Sequence, residues 1–230
     1  MEPCVLDSLL PVAPHTLALF VAASLAMNVT PGPDMMYVLA NGLRGGLRGG
    51  IAANLGITFG AAGHVMLAAL GLTALVAAAP VALDAVRIAG ALYLLWLGWK
   101  ALTGPSPLGG AMADTAEAAG RGERKGRVVR DGFVTCLLNP KVGLFFVAFL
   151  PQFVDRSATA DPVTAQILFL GGTFLLTSFV TLAPVAAAGG AMTRLLRRLP
   201  WAAGALGKVS GVIFIGLAVR LLVMDSRTGQ

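Results

Sequence analysis

The chain has 230 residues, of which 57% are hydrophobic and only 12% are charged, and its mean hydropathy is +0.80. A soluble domain carries about 25% charged residues, so this composition excludes an ordinary soluble protein. It also excludes a disordered chain, because disorder requires low hydrophobicity and high charge. Apolar segments recur along the whole sequence, which a signal peptide alone does not explain. The composition indicates a protein that crosses a lipid bilayer several times.

The net charge of +6 would suggest a nucleic-acid partner in a soluble protein. Here the basic residues lie between apolar segments without interleaved aromatic residues, so we expect no binding of nucleic acid. The two cysteines, Cys4 and Cys136, have neither CxxC nor metal-ligand spacing, which argues against a disulfide framework. There is no GxxxxGK[ST] loop, so direct coupling to ATP is unsupported. We expect no cofactor and no enzymatic activity.

Crossing a bilayer core takes about 20 apolar residues in a helix. Six segments approach or exceed this length: 8–33, 49–83, 85–102, 132–150, 162–193 and 203–224. We therefore predict an all-α fold, a bundle of six transmembrane helices that forms a single membrane domain over residues 1–230.

A polar loop at 104–130 separates a first three-helix half (8–103) from a second (131–225). Twelve of the 17 lysines and arginines lie in or beside the first, third and fifth loops. Because basic residues concentrate on the cytoplasmic side, this loop is predicted to be cytoplasmic and both termini to lie outside the cytoplasm.

Two of the predicted helices are interrupted. Pro31, Gly32 and Pro33 interrupt the first, and Pro140 interrupts the fourth. Each proline removes a backbone donor and clashes with the preceding turn, so the helix must kink or unwind. The backbone groups freed in this way must face protein or a wet cavity, since lipid offers them no partner.

The two breaks suggest an internal repeat. Asn28 precedes the first break, and Asn139 precedes the second 111 residues later. The same shift maps segment 49–83 onto 160–194, almost coincident with the fifth segment. A repeat of three helices inserts its two halves in opposite senses. Inverted repeats with paired broken helices are a common transporter plan, with the substrate bound near the midplane.

Two charged residues, Asp34 and Lys141, lie just beyond these breaks inside apolar segments. A charge at the centre of a membrane helix costs roughly 2.5–3.5 kcal/mol, so it normally faces the bundle interior and has a partner. One interpretation is a purely structural ion pair. The other is that the two residues meet a charged substrate or a coupling proton, and burial suits Asp34 to reversible protonation.

The second helix carries small residues on one face, including Gly56 and Gly60. Such a face allows close helix packing, within the chain or between copies, so a homo-oligomer stays open. His64 lies on the same side and is either a packing residue or part of a substrate or proton path.

The chain resembles the LysE superfamily of amino-acid exporters, most closely its homoserine/threonine-exporter branch. The resemblance rests on Thr30-Pro-Gly-Pro-Asp34, Gly56-x-x-x-Gly60-x-x-x-His64, Tyr93-Leu-Leu-Trp-Leu-Gly98 and Leu138-Asn-Pro-Lys141. The last two segments match only in length and hydropathy. Ala61 stands where some relatives have an acidic residue, which leaves Asp34 as the leading proton carrier.

The resemblance implies an exporter of amino acids or related metabolites in the inner (plasma) membrane, acting by proton antiport with alternating access. Its motif positions carry over to Pro31, Gly32, Pro33, Asp34, Asn139, Pro140 and Lys141, and less directly to Gly56, Gly60 and His64. A divalent metal-ion exporter of the same superfamily is the main alternative, although two histidines and two separated cysteines are a poor ligand set. A membrane thiol–disulfide enzyme or a non-transporting membrane protein are weaker alternatives.

Overall fold

The structure of the protein, a computed structural model, describes residues 11–78, 80–104, 125–155 and 162–187, with positions 205, 208–209, 211–216 and 218–219 beyond them. The side chains of residues 72–87 lie outside the description. The regular elements of these ranges are all helical, with no strand among them. The all-α class is thereby confirmed. Cys4, the sixth apolar segment in large part and most of the 104–130 loop lie outside the described residues.

Six α-helices are described, and we number them in chain order. They are α1 (Pro14–Val29), α2 (Pro33–Ala78), α3 (Pro80–Thr103), α4 (Lys125–Leu137), α5 (Pro140–Leu144) and α6 (Val163–Ala187). A π-helical turn, Phe145–Phe149, and a 3-10 turn, Leu150–Phe153, continue α5. Four of these helices begin with proline, which suits the first helical position because the N–H there needs no helical partner.

The long helix α2 consists of two helical segments that meet at Gly46. This glycine has φ 58° and ψ −155°, a conformation that residues with a side chain rarely adopt. A Cβ placed on Gly49 would lie 2.5 Å from the Asn41 carbonyl oxygen. Residues eight positions apart in a straight helix are separated by about 12 Å. The chain therefore reverses at Gly46, so that α2 consists of a first arm that follows the first apolar segment and a second arm that covers most of the second.

By length and composition, two of the described helices are long and apolar enough to cross a membrane. They are Pro33–Gly71, which includes the reversal at Gly46, and Val163–Ala187. A third candidate is a bent pair of helices, which counts as one span if its two parts cross the membrane together. It consists of Lys125–Leu137 and Pro140–Phe153, with a bend of 50° between them. Pro14–Val29 and Ile88–Thr103 are shorter apolar helices. The chain thus has the helices of an integral membrane protein.

Two element boundaries differ from the sequence prediction. The third helix begins at Pro80 rather than near residue 85, because proline starts helices more readily than it continues them. The fourth begins at Lys125, inside the segment assigned to the polar loop. Its first turns are polar, and Arg127 and Asp131 form an i,i+4 ion pair at 3.4 Å that supports the helix there.

Helices α2 and α4 pack with their backbones in close contact. A Cβ on Gly56 would clash with the Val129 carbonyl oxygen, and one on Gly60 would lie 2.6 Å from both the Phe133 carbonyl oxygen and the Cys136 Cβ. Gly132 of α4 faces Gly56 in return. Close approach of this kind needs small residues on the contacting faces. It places the end of α4 beside α2.

An aromatic cluster forms the core between α1, the π-helical turn and α6. Neighbouring rings have centroid distances between 4.8 and 5.9 Å. All of the rings are buried, and the cluster consists of Phe20, Phe145, Phe146, Phe149, Phe153 and Phe174. Aromatic pairs in these geometries stabilise a core beyond the area they bury. The cluster holds the second half of the bent pair against its neighbours.

Replacing Gly60 with alanine should lower the stability of the protein, because the added methyl group meets the α4 backbone. Overpacking of this kind costs about 1–3 kcal/mol. Gly172→Ala is the matched control, since Gly172 lies within α6 with nothing within 4 Å of an added Cβ. Thermal unfolding midpoints in detergent should fall for Gly60→Ala and stay level or rise for Gly172→Ala. Equal midpoints for the two variants would contradict the close packing of α2 and α4.

Candidate functional site at the two helix breaks

The first break lies between α1 and α2. The helix ends at Val29, and Thr30 closes it through its backbone N–H and its hydroxyl, which donate to the Ala26 carbonyl at 3.1 and 2.6 Å. Pro31 and Pro33 carry no N–H, so the carbonyls four residues earlier lose their helical donors. The break therefore exposes backbone acceptors inside an apolar segment.

The second break separates α4 from α5. Asn139 caps α5, since its Oδ1 accepts from the Lys141 backbone N–H at 3.1 Å. Its own N–H donates to the Cys136 carbonyl at 3.0 Å. Pro140 occupies the first position of α5, where a missing N–H has no cost. Asparagine before proline thus ends one helix and starts the next.

A long-range hydrogen bond joins the two breaks. The Lys141 Nζ donates to the Thr30 carbonyl oxygen at 2.7 Å, although the two residues are 111 positions apart. A Cβ on Gly32 would lie 3.4 Å from this Nζ. Glycine at position 32 therefore leaves room for the ammonium group beside the first break. The lysine supplies a donor to the Thr30 carbonyl, which lies just beyond the end of α1.

Asp34 lies in the first turn of α2, beside the side chains of Asn139 and Cys136. Lys141 is its cationic neighbour in the same cavity. The direct ion pairs among the described residues lie elsewhere, between Asp131 and the arginines 127 and 130. The structure brings Asp34 and Lys141 to one site, where the ammonium group is bound to a backbone carbonyl.

A cavity of about 20 Å³ opens between the two breaks and α6. One water molecule needs about 10–15 Å³ of this kind of volume, so the cavity admits water and is too small for an amino acid. Its polar side chains and backbone come from Asn28, Thr30, Gly32, Asp34, Asn139, Lys141 and Ser178. Its apolar side chains come from Met27, Met35, Val142 and Leu182.

Two lining groups have no hydrogen-bond partner within the described part of the chain. One is a donor, the buried Asn28 Nδ2, and the other is an acceptor, the buried Asp34 Oδ1. A buried polar atom left unpaired costs about 1–3 kcal/mol. The cavity therefore presents a free donor and a free acceptor, which suit a ligand that carries both an anionic and a cationic group.

His64 lies next to the cavity rather than in its lining. Its Nε2 is 3.1 Å from the Cys136 carbonyl oxygen, at the end of α4. Its ring stacks on Phe146 at a centroid distance of 6.1 Å, and its Cε1 is 3.2 Å from where a Gly143 Cβ would lie. His64 thus contacts both sides of the second break. Gly56 and Gly60 contact α4 before that break and are also outside the lining.

Sequence reasoning missed the contribution of α6. Ser178 and Leu182 line the cavity one turn apart, yet nothing in the apolar 162–193 segment distinguishes them. Two long-range hydrogen bonds hold the walls of the cavity. Tyr37 Oη donates to the Val128 carbonyl at 2.8 Å, and Asn54 Nδ2 donates to the Phe179 carbonyl at 3.1 Å. The polarity of Asn54 was the only available signal for the second bond.

The described residues contain no group of three His, Cys, Asp or Glu side chains that is arranged to hold a metal ion. Cys136 is a free, buried thiol. The metal-ion alternative finds no support in this part of the chain.

Replacing Asn139 with alanine should destabilise the protein by about 1 kcal/mol, because α5 loses its N-cap acceptor. Asn139→Ser should retain most of the stability, since serine caps a helix about as well as asparagine. Unfolding midpoints in detergent would measure both changes. A midpoint for Asn139→Ser as low as that for Asn139→Ala would show that the cap contributes nothing.

Comparison with known proteins identifies the family. The family model described as LysE type translocator matches residues 25–225. A leucine efflux protein of Enterobacter sp. (strain 638) is 34% identical over 202 residues, which cover 88% of this chain and 92% of that protein. The leucine efflux protein of Klebsiella pneumoniae is 30% identical over 207 residues, covering 90% and 94%. That of Salmonella choleraesuis is 30% identical over 208 residues, again covering 90% and 94%.

No solved structure matches the chain. The match to the family model includes both helix breaks and α6, which are the elements that line the cavity. The chain belongs to the LysE family of membrane translocators.

Proposed function

We propose that the protein is a secondary transporter that exports an amino acid from the cytoplasm. The observation that carries this proposal is the unpaired donor and acceptor, Asn28 Nδ2 and Asp34 Oδ1, in a cavity between two broken helices. Similarity to leucine efflux proteins agrees with it and points to leucine or a related amino acid. The experiment that tests it directly is export of labelled leucine from liposomes containing the purified protein.

The amino-acid head group matches the polar residues of the cavity. The carboxylate accepts from Asn28 Nδ2 and from Lys141, whose ammonium group already lies at the break. The substrate's ammonium group donates to Asp34 and to the carbonyls that the prolines leave free. Both charges of the zwitterion then have partners, which a buried charge requires.

The size of the cavity supports alternating access as the mechanism. At about 20 Å³ it represents a contracted state, so binding requires the helices around it to separate. The breaks at residues 30–32 and 138–139 are the natural hinges, because fewer backbone hydrogen bonds resist bending there. The substrate displaces the Lys141 ammonium group from Thr30, which couples binding to the movement of one break against the other.

The proposed architecture has six membrane spans in two inverted halves, residues 8–103 and 131–225, joined by a cytoplasmic loop at 104–130. The 111-residue offset that relates the two asparagines also separates Thr30 from Lys141, the residues that join the breaks. Basic residues between the spans favour both termini outside the cytoplasm of a plasma-membrane protein.

Proton antiport supplies the driving force in this proposal. A charge that moves across 100 mV carries about 2.3 kcal/mol, and a pH difference adds to that. Asp34 is the proposed proton carrier, because it lies in the cavity and its free Oδ1 is able to take a proton. The ammonium group of the substrate and the proton then compete for the Asp34 carboxylate. Such competition is what the exchange of substrate for a proton requires.

Asp34→Asn should abolish export driven by a pH gradient while leaving the protein inserted, because the amide has nearly the same size and does not titrate. Export of labelled leucine from loaded liposomes would measure this. Asp131→Asn is the matched control, since Asp131 pairs with Arg130 at 2.9 Å outside the cavity lining. Export by Asp34→Asn at the wild-type rate would remove Asp34 from the coupling.

Cysteine labelling in cells tests the orientation of the protein in the membrane. Each variant carries Cys4→Ser and one added cysteine. His15→Cys, at the exposed start of α1, should react with a membrane-impermeant thiol reagent in intact cells. Gly126→Cys, at the exposed start of α4, should react only in inverted vesicles. Cys136 is buried and should give a low background. The opposite labelling pattern would reverse the proposed orientation.

A further inference from the structure

The polar residues of the cavity do not distinguish one amino acid from another. Asn28, Asp34, Asn139 and Lys141 match the ammonium and carboxylate groups, which all α-amino acids share. Selection among substrates therefore has to come from lining residues that contact the side chain. Along the described lining these are the apolar residues and Ser178.

Three of the apolar residues are sequence neighbours of the residues that match the head group. Met27 precedes Asn28, Met35 follows Asp34, and Val142 follows Lys141. Their positions are set by the same breaks that present the polar groups. A change in their size would disturb both head-group binding and side-chain contact.

The wall formed by α6 is independent of the breaks. Ser178 and Leu182 are four residues apart, so they project from one face of the helix, and they are 3% and 2% exposed. The wall carries no charge. Asn54 holds it in place from α2 by donating to the Phe179 carbonyl between them. Pro184 lies two residues beyond Leu182 and withholds a donor from the Val180 carbonyl, which leaves this turn of α6 free to adjust.

We infer that Ser178 and Leu182 form the side-chain pocket of the substrate site and that Leu182 sets its volume. The pocket takes an uncharged aliphatic side chain, because a charged one would be buried without a partner. The resemblance by motif, which is strong in the first and fourth segments and absent from the fifth, agrees with a shared head-group site and a variable side-chain wall. This inference rests on the proposed export function.

The test changes the size of the residue at position 182 and the size of the substrate side chain. Purified wild-type protein and variants are placed in liposomes, and export is measured for alanine, leucine and phenylalanine. Leu182→Ala enlarges the pocket and should raise the phenylalanine-to-leucine ratio of kcat/KM at least tenfold. Leu182→Phe shrinks it and should raise the alanine-to-leucine ratio at least tenfold. One methylene group changes such ratios by about 10–200-fold in a closed apolar pocket.

Leu176→Ala is the control, because Leu176 lies on the same helix and is 65% exposed. It should leave both ratios within twofold of wild type. Ser178→Val provides a second filling variant and should act like Leu182→Phe. Each ratio compares two substrates on one sample, so a lower yield of folded protein cancels.

The outcomes separate this inference from the proposed function. Wild-type protein that exports no amino acid would overturn the proposed function itself. Wild-type export of leucine, together with unchanged ratios in both Leu182 variants, would overturn the α6 pocket and leave the export function standing. Opposite shifts in the two Leu182 variants, with none in Leu176→Ala, would support the pocket.

Discussion

The hydrogen bond from the Lys141 ammonium group to the Thr30 carbonyl oxygen is the contact on which this structure depends. Prolines in an apolar helix leave backbone acceptors without donors, and a lysine in an apolar helix is a donor without an acceptor. Either one facing lipid costs several kcal/mol. Here the ammonium group finds its acceptor at the break itself, in the Thr30 carbonyl. The contact therefore lowers the cost of the polar groups at both breaks.

The rest of the packing serves this contact. Gly56, Gly60 and Gly132 bring α2 and α4 close enough for the second break to reach the first, and Gly32 leaves space for the ammonium group. The phenylalanine cluster then holds the segment after the break. The glycines at the helix contacts thus determine the distance between the two breaks. The phenylalanines restrain the chain that follows the second break.

The site is incomplete in a way that suits transport. Asn28 Nδ2 and Asp34 Oδ1 are buried without partners, at a cost of about 1–3 kcal/mol each, and a zwitterionic substrate would recover that cost. A cavity that admits only water does not retain an amino acid. A transporter needs binding that is favourable in an open state and lost on contraction. The unpaired groups and the small volume of the cavity agree with the export function that we propose.

The sequence by itself determined the membrane class, both helix breaks, the two charges beside them and the family, because prolines and charges in apolar segments are local signals. It did not determine which group Lys141 binds, since Thr30 offers no signal beyond its place next to a proline. Nor did it place His64 beside the cavity or select Ser178 and Leu182 from a helix that has no charged residue. The helices α3 and α4 also begin before the apolar runs that indicate them, because a helix need not start where an apolar run does. The contacts of Lys141, His64 and α6 join residues 72 to 125 positions apart, and only the tertiary structure decides which of them meet.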